Sequence, residues 1–129
     1  METIKSFTDI KQSKKLAEIL PIESADMYYE PSMGYCTEPS EVRLGDIKYA
    51  HPRSIRCWSL AALFGVIPQT IFDGEYVINI TEGGAYKWVI TYDHYENRSS
   101  SGYEVDSGAD NLVDACYELV LKLHELKLL

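Results

Sequence analysis

The chain has 129 residues, 46% of them hydrophobic and 25% charged, and a formal net charge of -8. A chain of this length buries about two thirds of its unfolded surface, so it needs no metal or disulfide staple to fold, and its composition excludes a disordered chain. The acidic balance argues against broad phosphate-backbone binding, which depends on lysine and arginine, and it disfavours acidic partners as well.

Residues Met1 to Lys15 carry both charge signs and no apolar run followed by a cleavage site. This predicts no signal peptide and a cytoplasmic protein. Cys36, Cys57 and Cys116 are an odd number at irregular spacing, which is neither a disulfide framework nor a paired metal motif, so reduced thiols are expected.

A first helix is predicted to start near Ser6, where Ser6-Phe7-Thr8-Asp9 resembles a capping box with Asp in place of Glu; Ser13 offers a second start. Ile10, Leu16, Ala17 and Leu20 form its apolar side, and Pro21 ends it. Residues 22–53 are irregular, with short strand candidates at Met27–Tyr29 and Ile47–Tyr49 broken by Pro31, Gly34, Pro39, Gly45 and Pro52. Segments this long without regular structure are commonly lids or binding loops. Tyr28, Tyr29, Tyr35 and Tyr49 gather here, and tyrosine suits partner surfaces because it buries area while keeping a polar tip. Equally, these rings could roof the next element.

That element is the stretch Ser54 to Val66. After Arg56 it is uncharged, and Cys57, Trp58, Leu60, Ala61, Leu63 and Phe64 cover nearly a full helical circumference, which predicts a central helix buried on most sides. Gly65 and Pro68 end it. The clearest pattern follows. Tyr76, Ile78 and Ile80 alternate with Val77, Asn79 and Thr81, Glu82-Gly83-Gly84 turns the chain, and Tyr86, Trp88, Ile90 and Tyr92 alternate with Lys87, Val89 and Thr91. With a third short strand at Tyr103–Val105 this makes a meander. A last helix over Asn111–Leu126 is capped by Asn111 and buries Leu112, Ala115, Cys116, Leu119, Val120, Leu123 and Leu126.

The predicted fold is therefore α+β: one domain over residues 1–129, with an N-terminal helix (1–21), an irregular Tyr-rich segment (22–53), and a three-stranded antiparallel meander with helices on one face (54–129). The α-β-β-β-α order is similar to that of double-stranded-RNA-binding domains. Such domains place lysines at the start of their last helix, where this chain has Asp106, Asp110 and Asp114, the wrong sign for RNA.

Three chemistries are open to these residues. A cysteine at the first turn of a buried helix, near Arg53 or Arg56, has its thiolate favoured by the helix dipole. The string Cys57-Trp58-Ser59-Leu60-Ala61 resembles the nucleophile helix of papain-like cysteine peptidases. That resemblance implies Cys57 as nucleophile with His94, or else His51, as its base, although the oxyanion-hole glutamine expected just before the cysteine is absent. Cys36, His51 and Cys57 have zinc-binding side chains, but at spacings that match no compact ligand pair. Arg43, Lys48, His51, Arg53 and Arg56 form a locally basic run suited to a phosphate or carboxylate. On the whole chain, Ile4-Lys5-Ser6-Phe7-Thr8-Asp9, Lys15-Leu16-Ala17-Glu18-Ile19-Leu20-Pro21, Cys57-Trp58-Ser59-Leu60-Ala61-Ala62-Leu63 and Leu121-Lys122-Leu123-His124-Glu125-Leu126 resemble a set of short, acidic, uncharacterised gut-bacterial proteins with no assigned activity. That resemblance implies no substrate, cofactor or catalytic residue.

The expected function is a non-enzymatic accessory or interaction module. It would bind a protein partner through Tyr28, Tyr29, Tyr35, Tyr49, Arg43, Arg53 and Arg56, with self-association as another form of the same contact. A cysteine-dependent hydrolase and a nucleic-acid-associated protein are the alternatives.

Overall fold

A computed structural model describes residues 5–30, 42–44, 54–83, 86–94 and 102–129, with backbone alone at 42–44, 83, 86–87 and 102–108. The fold is α+β, with three α-helices and two antiparallel sheets among the described residues. Two compact units form, residues 6–66 and residues 1–5 with 67–129.

In the first unit, Asp9 starts helix α1 (Ile10–Ala17). Its side chain accepts from the Gln12 N–H, and the Gln12 side chain accepts from the Asp9 N–H. This capping box lies three residues beyond the predicted one at Ser6. Ser6 cannot cap because residues 6–8 are held extended: Thr8 N–H donates to the Trp58 carbonyl at 2.9 Å and Leu60 N–H to the Ser6 carbonyl at 3.0 Å. After a 3-10 turn at Ile22–Ser24 come β1 (Met27–Tyr29), β2 (Val42–Leu44) and β3 (Ile55–Cys57), an antiparallel sheet of order β2-β1-β3. Strand β1 matches its prediction, β2 arises inside the segment read as irregular, and the candidate at Ile47–Tyr49 lies outside the described residues.

The predicted central helix is corrected. Ser54–Val66 is a strand followed by a shorter helix, because Ile55–Cys57 pairs with β1 and only Leu60–Val66 forms α2. Ser59 fixes the boundary. Its Oγ accepts from the Ala62 N–H at 3.1 Å, while its own N–H and hydroxyl donate to the Asp26 carboxylate. Helix α2 is not buried on most sides; Leu63 is its one fully buried residue, and Ala61 and Gly65 are exposed. An apolar run without a period is compatible with either element, and a short buried strand reads like helix.

In the second unit, β4 (Thr70–Ile71), β5 (Tyr76–Gly83), β6 (Tyr86–His94) and β7 (Gly102–Ala109) form an antiparallel sheet in chain order. The expected meander is present. It has a longer third strand than Tyr103–Val105 and gains β4 at its edge. Helix α3 (Leu112–Glu125) packs on β7 and β6, whereas α2 belongs to the other unit. Ile90 and Tyr92 are fully buried, and the Tyr92 hydroxyl donates to the Pro68 carbonyl at 2.6 Å. Their cross-strand neighbours on β5 are less covered: Ile78 is half-buried and Ile80 exposed.

Asn111 caps α3 as expected, its Oδ1 accepting from the Asp114 N–H at 2.8 Å, and Asp114 also takes the Lys5 ammonium at 2.7 Å. Val113 joins the buried stripe, and Leu126 leaves it because the helix ends there. The end is a Schellman motif: Leu128 N–H donates to the Leu123 carbonyl and Lys127 N–H to the His124 carbonyl, with Lys127 at φ +60°.

Candidate functional site

The richest convergence of polar side chains in the residue 6–66 unit surrounds Cys57. The extended segment before α1 brings Thr8 against the end of β3, and α1 brings Ser13. Thr8 and Ser13 are both fully buried, with their hydroxyl oxygens 2.8 Å apart. Thr8 Oγ1 also accepts from the Trp58 N–H at 3.1 Å and lies 3.6 Å from Cys57 Sγ. The Thr8 carbonyl accepts from the Tyr29 hydroxyl at 2.6 Å and from the Cys57 thiol at 3.4 Å. One proton arrangement satisfies every group: Ser13 donates to Thr8 Oγ1, Thr8 donates to Cys57 Sγ, and the thiol donates to the Thr8 carbonyl. Apolar walls close the cluster. Ile10, Met27 and Tyr29 are buried around Cys57, Phe7 and Ile55 pack against them, and the Phe7 ring meets Tyr29 edge-on at 6.4 Å.

This environment holds the thiol neutral. Burial, as the dominant cause, raises the Cys57 pKa, and the Asp26 carboxylate adds to it; hydrogen bonds from Thr8, Ser13 and Tyr29 pull the other way without prevailing. Cys57 sits on a strand, so the helix dipole invoked for an activated nucleophile does not reach it from α2, which starts only at Leu60. A reactive cysteine needs a partly exposed setting, and Cys57 is fully buried. Among the described residues no imidazole hydrogen-bonds to it. Cys116 is the same case in the other unit, its pKa pushed up to about 12 by burial alone.

The remaining predicted site residues divide sharply. His94 ends β6, where its ring stands edge-on to Tyr76 at 5.4 Å. Tyr29 is buried in the Cys57 core, where its hydroxyl donates to the Thr8 carbonyl. Tyr28 points the other way on β1. In the sheet register it pairs with Arg43 on β2 and with Arg56 on β3, so three of the expected binding positions align in one cross-strand row. Tyr28 and Arg56 are half-buried. One Arg56 donor reaches the Ala17 carbonyl at the end of α1, at 3.3 Å, where a cation is favoured by the helix dipole. Tyr35, Tyr49, Arg53, His51 and Cys36 lie outside the described residues. Among the described residues no three His, Cys, Asp or Glu side chains are placed to hold a metal ion.

Sequence reasoning missed Thr8, Ser13 and Asp26. Ser13 read as a helix-start signal and Thr8 as an inner position of another, and the Cys57 that Thr8 meets is over forty positions away in sequence. No family model matches the chain, and no curated protein or solved structure matches it. No described helix is long and apolar enough to cross a membrane.

Proposed function

We propose that this chain is a non-enzymatic, cytoplasmic interaction module that binds a protein partner through the outer face of the β2-β1-β3 sheet, within the Tyr28 to Tyr49 region. The observation that carries the reading is the cross-strand row Arg43–Tyr28–Arg56. Tyrosine and arginine are among the residue types that most often anchor protein interfaces, and here a tyrosine position lies between two arginine positions in the register. The Tyr28 hydroxyl has no hydrogen-bond partner on the described residues, so its polar tip is available to a partner. The sequestered Cys57 supports a non-enzymatic reading, and the unpaired thiols of Cys57 and Cys116 suit a reducing compartment.

The test is a photo-crosslinking amino acid placed at Tyr28, with Lys11 and Glu118 as control positions, in cells that make the protein. Discrete adducts from position 28 alone are expected, and their loss when Arg56→Glu is added. Equal labelling from all three positions would refute the assignment.

A further inference from the structure

Strand β5 outruns its neighbour. β4 pairs with it only at Tyr76 and Val77, and the Gln69 carbonyl takes the Ile78 N–H at 2.9 Å; from Asn79 onward no described strand lies on that side. Exposure changes at the same point. Tyr76, Val77 and Ile78 are half-buried, whereas Asn79, Ile80, Thr81 and Glu82 are all exposed.

The register fixes which groups this edge presents. Main-chain groups alternate sides along an antiparallel strand, so Ile80 and Glu82 turn their N–H and carbonyl groups to the side on which Ile78 meets Gln69. Val77, Asn79 and Thr81 turn theirs to β6. Such an edge is a template for one more strand. Sheet edges are commonly guarded by proline or lysine, and β5 has neither from Tyr76 to Gly83; Glu82 is its one charge. A helix cannot use these groups, because its own are already paired within it. The fitting occupant is an extended chain.

Chemistry at the near end of the edge narrows it further. Val77, Asn79, Thr91 and Asp93 share the sheet face opposite Ile90 and Tyr92. There Val77, Asn79 and Asp93, with Ile78, line a hollow of about 160 Å³, room for the end of a long side chain. The Asp93 carboxylate is steadied by the Asn79 amide at 3.0 Å and the Thr91 hydroxyl at 3.2 Å. Both donors are neutral, and among the described residues no cation pairs with Asp93. Neighbouring strands lie about 4.8 Å apart, so a strand added beyond β5 is about 10 Å from β6, a gap that lysine and arginine are the cationic side chains long enough to cross.

We infer that the edge of β5 from Asn79 to Glu82 takes an extended segment of a partner protein as an added strand, with a lysine or arginine of that segment reaching over Asn79 to Asp93. A second copy of β5 offers no such cation, since none lies between Tyr76 and Gly83. The site is distinct from the Arg43–Tyr28–Arg56 row and does not depend on it.

The probe is a fluorescein-labelled synthetic peptide of alternating valine and threonine with one central arginine, followed by anisotropy. Methylating the main-chain nitrogens along one edge of the peptide is expected to weaken binding about tenfold or more, and methylating the other edge to leave it unchanged. Asp93→Asn is expected to weaken the arginine peptide about fivefold and to leave a norleucine version unaffected. Glu118→Gln, which removes an exposed charge on α3, should change neither. Ile80→Pro removes an outward N–H where an edge strand tolerates proline, and should abolish binding of both peptides. Asp93→Asn and the methylated peptides decide the matter if the proline variant folds poorly. Equal affinity for the two methylated forms would overturn the proposal, as would absence of binding or an equal loss in Asp93→Asn and Glu118→Gln. So would a homodimer, seen by sedimentation of the protein alone, that Ile80→Pro dissolves.

Discussion

Replacing Thr8 by valine isolates the polar network around Cys57, because the side chain keeps its shape and loses only its hydroxyl. Two fully buried partners are affected. The Trp58 N–H loses its acceptor, and the Ser13 hydroxyl loses the oxygen 2.8 Å away. A buried donor left unsatisfied costs about 1–3 kcal/mol, so the substitution should destabilise the protein by about 3 kcal/mol in all. Ser13→Ala should cost only about 1 kcal/mol, because the Thr8 hydroxyl still accepts from Trp58 and can donate to Cys57 Sγ. In the double variant no orphaned serine hydroxyl remains, so its cost should fall short of the sum by about 1 kcal/mol. Urea unfolding at pH 7, followed by the fluorescence of buried Trp58 and by far-ultraviolet circular dichroism, reads all four corners of the cycle. A Thr8→Val midpoint within about 0.5 kcal/mol of the parent, or strict additivity, would show that Thr8 is not the hub of this cluster.

Two further outcomes follow from the second unit. Lys127 occupies the left-handed position that ends α3, so Lys127→Gly should raise stability by about 0.5–1 kcal/mol, measured as an increased urea midpoint; a decrease would mean that the lysine side chain contributes more than its backbone costs. Burial pushes Cys116 up from 9.0 to about 12 and Tyr92 up from 10.0 to about 12. Both groups are held neutral in the fold while the unfolded chain ionises first, so their contribution is complete below about pH 9 and is lost as pH rises toward 12. Each such group removes about 1.4 kcal/mol per pH unit in that window, and Cys116→Ala should flatten the slope between pH 9 and 10, where Tyr92 has barely begun to count. An unchanged slope in reduced protein would contradict the assignment.

Where a pattern in the chain is local, it predicted the structure well. Asn111 with Asp114 marked the start of α3, and alternation from Tyr76 to Tyr92 marked the hairpin, because capping and strand pleating act over a few residues. The failures share one cause. Ser6 and Ser13 looked like helix starts, and Ser54–Val66 looked like one helix, because the contacts that decide both segments come from residues far away in sequence: Trp58 and Leu60 for residues 6–8, and β1 for Ile55–Cys57. Without the pairing to β1, nothing in the string Ile55-Arg56-Cys57 says strand. The candidate site was half legible for the same reason. Tyr28, Arg43 and Arg56 could be named from composition, but their alignment in one row needed the sheet register. Cys57 could be singled out, yet whether its thiol is open or enclosed depends on which segments close over it.

Cys57 is a closed core residue, buried among Ile10, Met27 and Tyr29. Native-state alkylation across pH, with Cys57 followed separately from Cys116 by mass spectrometry, tests this most directly. Both thiols are expected to remain unmodified at neutral pH and to react only when the chain is unfolded by urea. Rapid modification of Cys57 in the folded protein, with a rate that levels off below about pH 8, would reveal an accessible thiolate and contradict the account.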